Sequence, residues 1–423
     1  MRENKGKRER PRDTDSLNSL LRSADKETLE KLARDLAASD ISLRRRCLDF
    51  LRGSVKMSEE EAATAEAASA SALWDEIETD LADLDAYGGG DEETTDRVSG
   101  LLYALADKLK KGKIPRPHRR MILEDVLAYI KSGNAGMDDD LYEVAYASCR
   151  DDEDRRYLAE RLEKIGQEWP LDNARRIYRA LKDREKFLEL RLRKMVYGGD
   201  YHDLASFYWE QGEREKALEV GREGLAKAEG RMTELRLFMA DRAKKKGDRA
   251  EYLELHFQEA TEYLTANSYQ AFRELCTAEE WKSYEPQALK AMPRTRTVEQ
   301  VKIRLLRKER DEAAEILSRE RICRYMSREL LDAARRLEKS HPEKVLEFYR
   351  SGIGSLSRPM PRKEYSQIAR VLELIRRVML ETLKDAARWR DFKREVQRKT
   401  AGWPAFQEEA AERLPDWREG GEG

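Results

Sequence analysis

REKFLEL occupies residues 184–190 and REKALEV residues 214–220, two heptads that share five of seven letters. Aligned on their fourth position, the Phe187 or Ala217 slot, they bring further copies into register. DRRYLAE places Tyr157 there, RAEYLEL Tyr252, AEEWKSY Trp281, RDEAAEI Ala313 and PEKVLEF Val345. The slot numbers therefore advance by nearly equal steps from 157 to 345. A charged turn precedes the slot, and an apolar residue usually stands three positions after it: Leu190, Val220, Leu255, Ile316 and Phe348. Another amphipathic helix lies upstream of each copy. A period of roughly 32 residues is that of stacked helical hairpins, each too small to bury its own apolar face and completed by its neighbours. The copy at 278–284 has Lys282 where leucine is expected, which marks it as the weak point.

Composition narrows the class of function. Of 423 residues 39% are charged, against roughly 25% in an average soluble domain, and 83 basic residues nearly balance 84 acidic ones. The net charge of −1 selects neither a polyanionic nor a polycationic partner, and suits solvated helix faces with acid and base a turn apart. The segment MRENKGKRERPR has six basic residues and no apolar stretch behind it, so it does not read as a secretory signal. No apolar run approaches a membrane span. Cys47, Cys149, Cys276 and Cys323 are far apart, with no CxC or CxxC spacing for a zinc cluster or a dithiol pair. A cytoplasmic location with reduced thiols is expected.

Along the chain, residues 1–14 read as a disordered basic arm. Residues 15–54 form an N-terminal helical segment, with Leu17, Leu20, Leu21, Leu29, Leu32, Leu36, Leu43, Cys47, Leu48 and Leu51 spaced three and four apart on one helical face. Asp25 and Asp40 stand at N-cap positions, and Ser58 with Glu61 spells a capping box. Residues 55–95, rich in small residues and ending near Gly88-Gly89-Gly90, read as a connector with a triglycine hinge. Helical patterns fill 96–417, and 418–423 form a disordered tail.

The best copy, YHDLASFYWEQGEREKALEVGREGLA at 201–226, places Tyr201, Leu204, Ala205, Tyr208, Gly212, Ala217 and Gly224 at the spacing of a tetratricopeptide repeat, which it resembles. The expected fold is therefore all-α, an α-solenoid of tetratricopeptide-like hairpins with a small N-terminal helical segment. A wider resemblance links SADKETLEKLARDLAASDISLRRRCLDFL, FYWEQGEREKALEVGREGL, LEKSHPEKVLEFYR and WRDFKREVQRK to the region that follows the zinc finger in SWIM zinc-finger family proteins. That resemblance implies a helical-repeat region for protein contacts, adjoining a finger that binds DNA or protein. The finger's Cys-x-Cys and Cys-x-His pairs are absent here, so no metal-site residue carries over.

No catalytic spacing accompanies His118, His202, His256 and His341, and His202 and Asp203, as helix neighbours, point about 100° apart. His341 before Pro342 reads as a helix cap, and Asp138-Asp139-Asp140 as the acidic start of a helix. No enzyme activity, cofactor or small-molecule substrate is expected. The expected function is a protein-interaction scaffold, working with a protein partner, with Tyr201 and Tyr208 as candidate groove residues. The resemblance points to a separate SWIM zinc-finger protein as one partner to expect. The alternative is contact with a nucleic-acid phosphate backbone through the basic stretch KLKKGKIPRPHRR, where Lys108, Lys110, Lys111, Lys113, Arg116, Arg119 and Arg120 occur without an acid among them. A solvated loop whose lysines offset a helix C-terminus explains the same stretch.

Overall fold

A computed structural model describes residues 14–321, 327–354, 356 and 358–418. The basic arm, apart from Thr14, and the tail, apart from Arg418, lie outside them, as does Cys323. Among the described residues there are twenty-three α-helices and no β-strand. The chain is all-α, a tandem array of helical hairpins, and it divides into two compact units, Met1–Lys194 and Met195–Gly423.

The first unit contains α1 (Thr14–Ser23), α2 (Lys26–Ser39), α3 (Ile41–Ser54), α4 (Glu59–Tyr87), α5 (Glu92–Lys111), α6 (Arg116–Ser132), α7 (Asp138–Ala147), α8 (Asp152–Ile165), α9 (Glu168–Ala180) and α10 (Arg184–Leu192). Asp25 accepts a hydrogen bond from the Thr28 amide and Asp40 from that of Leu43, each at 2.8 Å, so both cap as their sequence predicts. The apolar face of α1–α3 forms but is covered only in part: α3 packs on α4 with Leu43, Cys47 and Leu48 half-buried, yet α2 and α3 have no fully buried residue, and Leu20 and Phe50 are 68% and 71% exposed.

The stretch expected to be a connector is instead a 29-residue helix, α4, opened by the Ser58–Glu61 capping box. Its small residues act in packing: Ala67, Ser69, Ala70 and Ala72 are buried beside Leu73, Trp74, Ile77, Leu81 and Leu84. Short side chains let α3, α5 and α6 pack against one helix. The three glycines do not form a hinge between domains. Gly88, at φ 75°, ends α4 in the left-handed conformation that favours glycine, and Asp91 then caps α5.

The second unit contains α11 (Gly198–Glu210), α12 (Arg214–Lys227), α13 (Thr233–Lys246), α14 (Arg249–Glu262), α15 (Ala266–Leu275), α16 (Ala278–Ala291), α17 (Thr297–Leu306), α18 (Arg310–Arg319), α19 (Arg328–Leu337), α20 (Pro342–Ser351), α21 (Arg362–Arg377), α22 (Ala386–Lys399) and α23 (Pro404–Arg413). Every copy of the repeated phrase falls on a helix, α8, α10, α12, α14, α16, α18 or α20, and α10, α12, α14 and α18 each pack as the second helix of a hairpin on the one before, whereas α8 packs chiefly on α9. Phe187, Ala217, Ala313 and Val345 are fully buried at the slot, Tyr252 nearly so, and Tyr157 and Trp281 half-buried.

One turn recurs before the phrase. Lys182, Gly212, Gly247 and Lys308 are left-handed, with φ of 57°, 81°, 81° and 65°. The next residue is acidic in each case. Its amide donates to a carbonyl of the preceding helix at 2.9 Å, Asp183 to Tyr178, Glu213 to Tyr208, Asp248 to Ala243 and Glu309 to Arg304. This satisfies a carbonyl orphaned at the helix end.

In the α11/α12 hairpin glycine permits contact. A Cβ on Gly224 would sit 2.6 Å from Tyr201 Cγ and 2.7 Å from Leu235 Cδ2. The copy with Lys282 is held differently, by rings: Trp281 lies 5.0 Å from Tyr269, and Tyr284 lies 5.2 Å from Phe272 and 5.0 Å from Phe257. Past α20, the core passes to α21–α23 through Trp389, Phe406 and Trp417.

Candidate functional site

The basic stretch 108–120 is not a free loop. Lys108, Lys110 and Lys111 lie in the last turn of α5, and Arg116, Arg119 and Arg120 in the first turns of α6. Each meets an acid from another part of the first unit or from its own helix. Lys108 Nζ is 2.7 Å from Asp49 Oδ1 and also donates to the buried Ser69 hydroxyl. Lys110 pairs with Glu143, Lys111 with Asp107 at 2.7 Å, and Lys113 with Glu59 at 3.0 Å. Arg116 reaches Glu153 at 2.6 Å and Asp154 at 3.1 Å, and it also pairs with Asp151. Arg120 meets Glu153 at 3.0 Å and lies 4.4 Å over the Tyr157 ring.

Arg119 is buried. Its guanidinium donates to the Ser148 carbonyl at 3.0 Å and the Ile114 carbonyl at 2.7 Å, and it pairs with buried Asp154. Burial pushes the Asp49 carboxyl up, but hydrogen bonds from Lys108 and Ser69 outweigh it and leave the pKa below its ordinary value. The hydrogen bond with Glu143 raises Lys110, and that with Glu153 raises Arg116. The stretch is a neutralised seam that sews α5 and α6 to α3, α4, α7 and α8.

Tyr201 is 6% exposed and pressed against Gly224, so packing consumes it and it lines no groove. Tyr208 is half-buried, 6.1 Å from the Phe207 ring and 5.7 Å from Lys216 Nζ, while its carbonyl receives the Glu213 amide of the recurring turn. Phe207, which the repeat spacing passed over, is a second buried aromatic of that helix, at 2% exposure. His341 stands at the start of α20, but its side chain does not cap: Nε2 meets Asp311 Oδ1 at 2.6 Å, joining two hairpins. His202 lies edge-on to Phe238 and His256 edge-on to Tyr252. Burial pushes the Cys149 thiol up to about 12, which leaves it unreactive at neutral pH. Asp138, Asp139 and Asp140 occupy the first turn of α7, favourable to the helix dipole, while Met137 holds the cap position.

Two cavities in the second unit have the size of ligand pockets, which run to about 300–1,000 Å³. One, of about 420 Å³, is lined by Asn267 and Gln270 of α15, Lys302 and Leu306 of α17, and Glu329 and Arg336 of α19. These are three successive first helices, and α17 packs on both of its neighbours. Its lining mixes signs, since Lys302 pairs with Glu329 at 3.1 Å. The other cavity, of about 480 Å³, lies between the α11/α12 and α13/α14 hairpins. Trp209, Leu218 and Met239 give it apolar surface, and Arg214, Arg222, Arg242, Lys245 and Lys246 give it charge, with Glu251 as its one acid. Neither Tyr201 nor Tyr208 lines either cavity.

No family model matches the chain, and no curated protein aligns with it. Among solved structures the chain is similar to a circular tandem repeat protein with novel repeat topology and enhanced subunit contact surfaces. The identity is 18% over 92% of this chain and 82% of that one, with a TM-score of 0.18. A score that low carries no argument, and the all-α assignment stands on the helices themselves. Among the described residues no helix is long and apolar enough to cross a membrane.

Proposed function

We propose that the chain is a non-enzymatic scaffold of the cytoplasm that holds a segment of a partner protein along the first helices of its second unit. The observation that carries this reading is the cavity built by α15, α17 and α19, because stacked first helices are how hairpin arrays present a groove to a peptide. Its mixed charge suits a segment carrying both signs. The resemblance to SWIM zinc-finger proteins extends the proposal to a separate finger-bearing chain as that partner.

The phosphate-backbone alternative loses its motive, since the cations of 108–120 already have acidic partners. The scaffold reading is tested with the photo-crosslinker p-benzoylphenylalanine at Leu306, in the groove, and at the exposed Tyr263, outside it. A discrete protein adduct from the native extract at 306 and none at 263 is expected. Equal labelling at both positions, or turnover of a small substrate by the pure chain, overturns it.

A further inference from the structure

We propose that the cavity between the α11/α12 and α13/α14 hairpins is an anion site, taking a phosphorylated or carboxylate side chain of a partner peptide whose apolar neighbour rests on Trp209. Charge and shape converge there. Five cations line the cavity against one carboxylate, in a chain whose totals nearly cancel. Asp241 engages two of the five, Lys245 at 2.8 Å and Arg242 at 3.1 Å. Among the described residues Arg222 and Lys246 have no ion-pair partner.

The site is also held in place before anything binds. The Arg242 guanidinium lies 3.7 Å from the Phe238 ring centre and 4.7 Å from that of Trp209, while the Arg214 guanidinium lies 5.5 Å from the Trp209 ring centre. Stacking fixes the plane of a guanidinium fork, so less freedom is lost when it closes on an oxyanion. Burial holds Arg242 below its ordinary pKa, and its Nε has no hydrogen-bond partner. Nη1 already donates to the Phe238 carbonyl at 3.2 Å, which leaves Nη2 for an incoming anion, and a partly desolvated cation gains more from one than a solvated cation does. Trp209, Leu218 and Met239 leave apolar wall beside these donors, which free phosphate would not use.

A peptide fits better than a nucleic-acid strand. The cations meet at one cavity and do not run along a track, and the exposed face of α12 beside them carries Glu215, Glu219 and Glu223. The inference deepens the scaffold reading by naming what the scaffold grips, and it rests on that reading.

The full chain labelled with 5-fluorotryptophan reports on the site directly, with the Trp209 signal assigned by its loss in Trp209→Phe. Phenyl phosphate, phenylacetate and phenol are titrated at low salt. A saturable shift of the Trp209 resonance with one or both anions, and a much weaker one with phenol, is expected. Tighter binding of phenyl phosphate assigns a phosphorylated side chain, and tighter or equal binding of phenylacetate assigns a carboxylate. Because Arg242 is woven into the packing, the exposed pair Arg222→Gln with Lys246→Gln carries the test, and affinity should fall about tenfold for the charge-assisted bonds removed. No saturable shift, phenol binding as well as the anions, unchanged affinity in the double variant, or tighter binding of oligothymidylate at this signal each overturns the proposal. The crosslink at 306 reads the other cavity, so its success or failure stays separate.

Discussion

Between α5 and α6 seven basic side chains in one short stretch all end on acidic partners, whereas around Trp209 five basic side chains from α12 and α13 share a cavity with one acid. The first group is conspicuous in the sequence and neutral in space. The second is spread over residues 214–246 among acidic neighbours and is concentrated in space. Linear charge density reports only on acids nearby in the chain. The partner of Lys108 is 59 residues away and that of Lys113 is 54. Potential is a property of the folded surface.

If the seam is structural, Arg119→Met should be the costliest change, because it takes from buried Asp154 its one buried cation and leaves only the more exposed Arg116 and Arg120 beside it. A loss of about 3–5 kcal/mol is expected for breaking a buried pair from one side, read as a lower urea midpoint. A loss below about 1 kcal/mol would put Arg119 in the class of surface pairs and break the contrast.

Next comes Gly224→Ala, on the same helix as Arg214 and Arg222, which separates packing from charge there. The added Cβ meets Tyr201 near its backbone, so overpacking of about 1–3 kcal/mol should exceed the helix-propensity gain of up to about 1 kcal/mol. A rise in melting temperature would contradict the close approach.

Smaller effects sharpen the comparison from both sides. Lys113→Ala breaks an exposed pair and should cost about 0–1 kcal/mol. Arg222→Gln should stay within about 0.5 kcal/mol of the parent in stability, since the side chain touches no packed feature, while anion binding falls. A stability loss equal to that of Arg119→Met would make the cavity's cations structural too.

The gentlest probe is acid. The folded pKa of Asp49 is below its ordinary value of 3.8, so its pairing with Lys108 stabilises the fold above that value. The contribution disappears as pH falls through the lower, folded value. A drop in melting temperature below about pH 4 that is shallower in Asp49→Asn is expected, since Glu280, Asp183 and Asp416 are also held below their ordinary values and titrate in both proteins. A drop of undiminished size in the variant assigns the titration elsewhere.

Features written within one helical turn were legible from sequence. The caps at Asp25 and Asp40 and the Ser58–Glu61 box need only their own turn, and the recurring phrase is one local turn followed by one buried slot. Long-range facts were not. The alanines and serines of α4 look like a linker because small residues serve both flexibility and tight packing, and only neighbouring helices decide between them. Likewise, the spacing of Leu17 to Leu36 sets a common face but not how far anything covers it, and here α3 packs on α2 yet leaves Leu20 68% and Leu36 43% exposed. Tyr201 and Phe207 show the same limit. Repeat spacing marks positions between helices, and burial alone tells a packed ring from a groove-lining one.

The turn shared by Lys182, Gly212, Gly247 and Lys308 has a bearing on how such a chain changes length. Its successive copies at Asp183, Glu213 and Asp248 each stand one hairpin further along the chain. A segment cut from one turn to the next has matching backbone ends, because the chain leaves each helix with the same hydrogen bond and the same handedness. Duplicating or deleting such a cassette alters no junction, only the number of neighbours to be packed. Where lysine holds the left-handed position, the join carries a strain of about 1–2 kcal/mol that glycine avoids. Splices at Gly212 and Gly247 should therefore be tolerated better than splices at Lys182 and Lys308, which makes the glycine joints the natural places to lengthen or shorten the array.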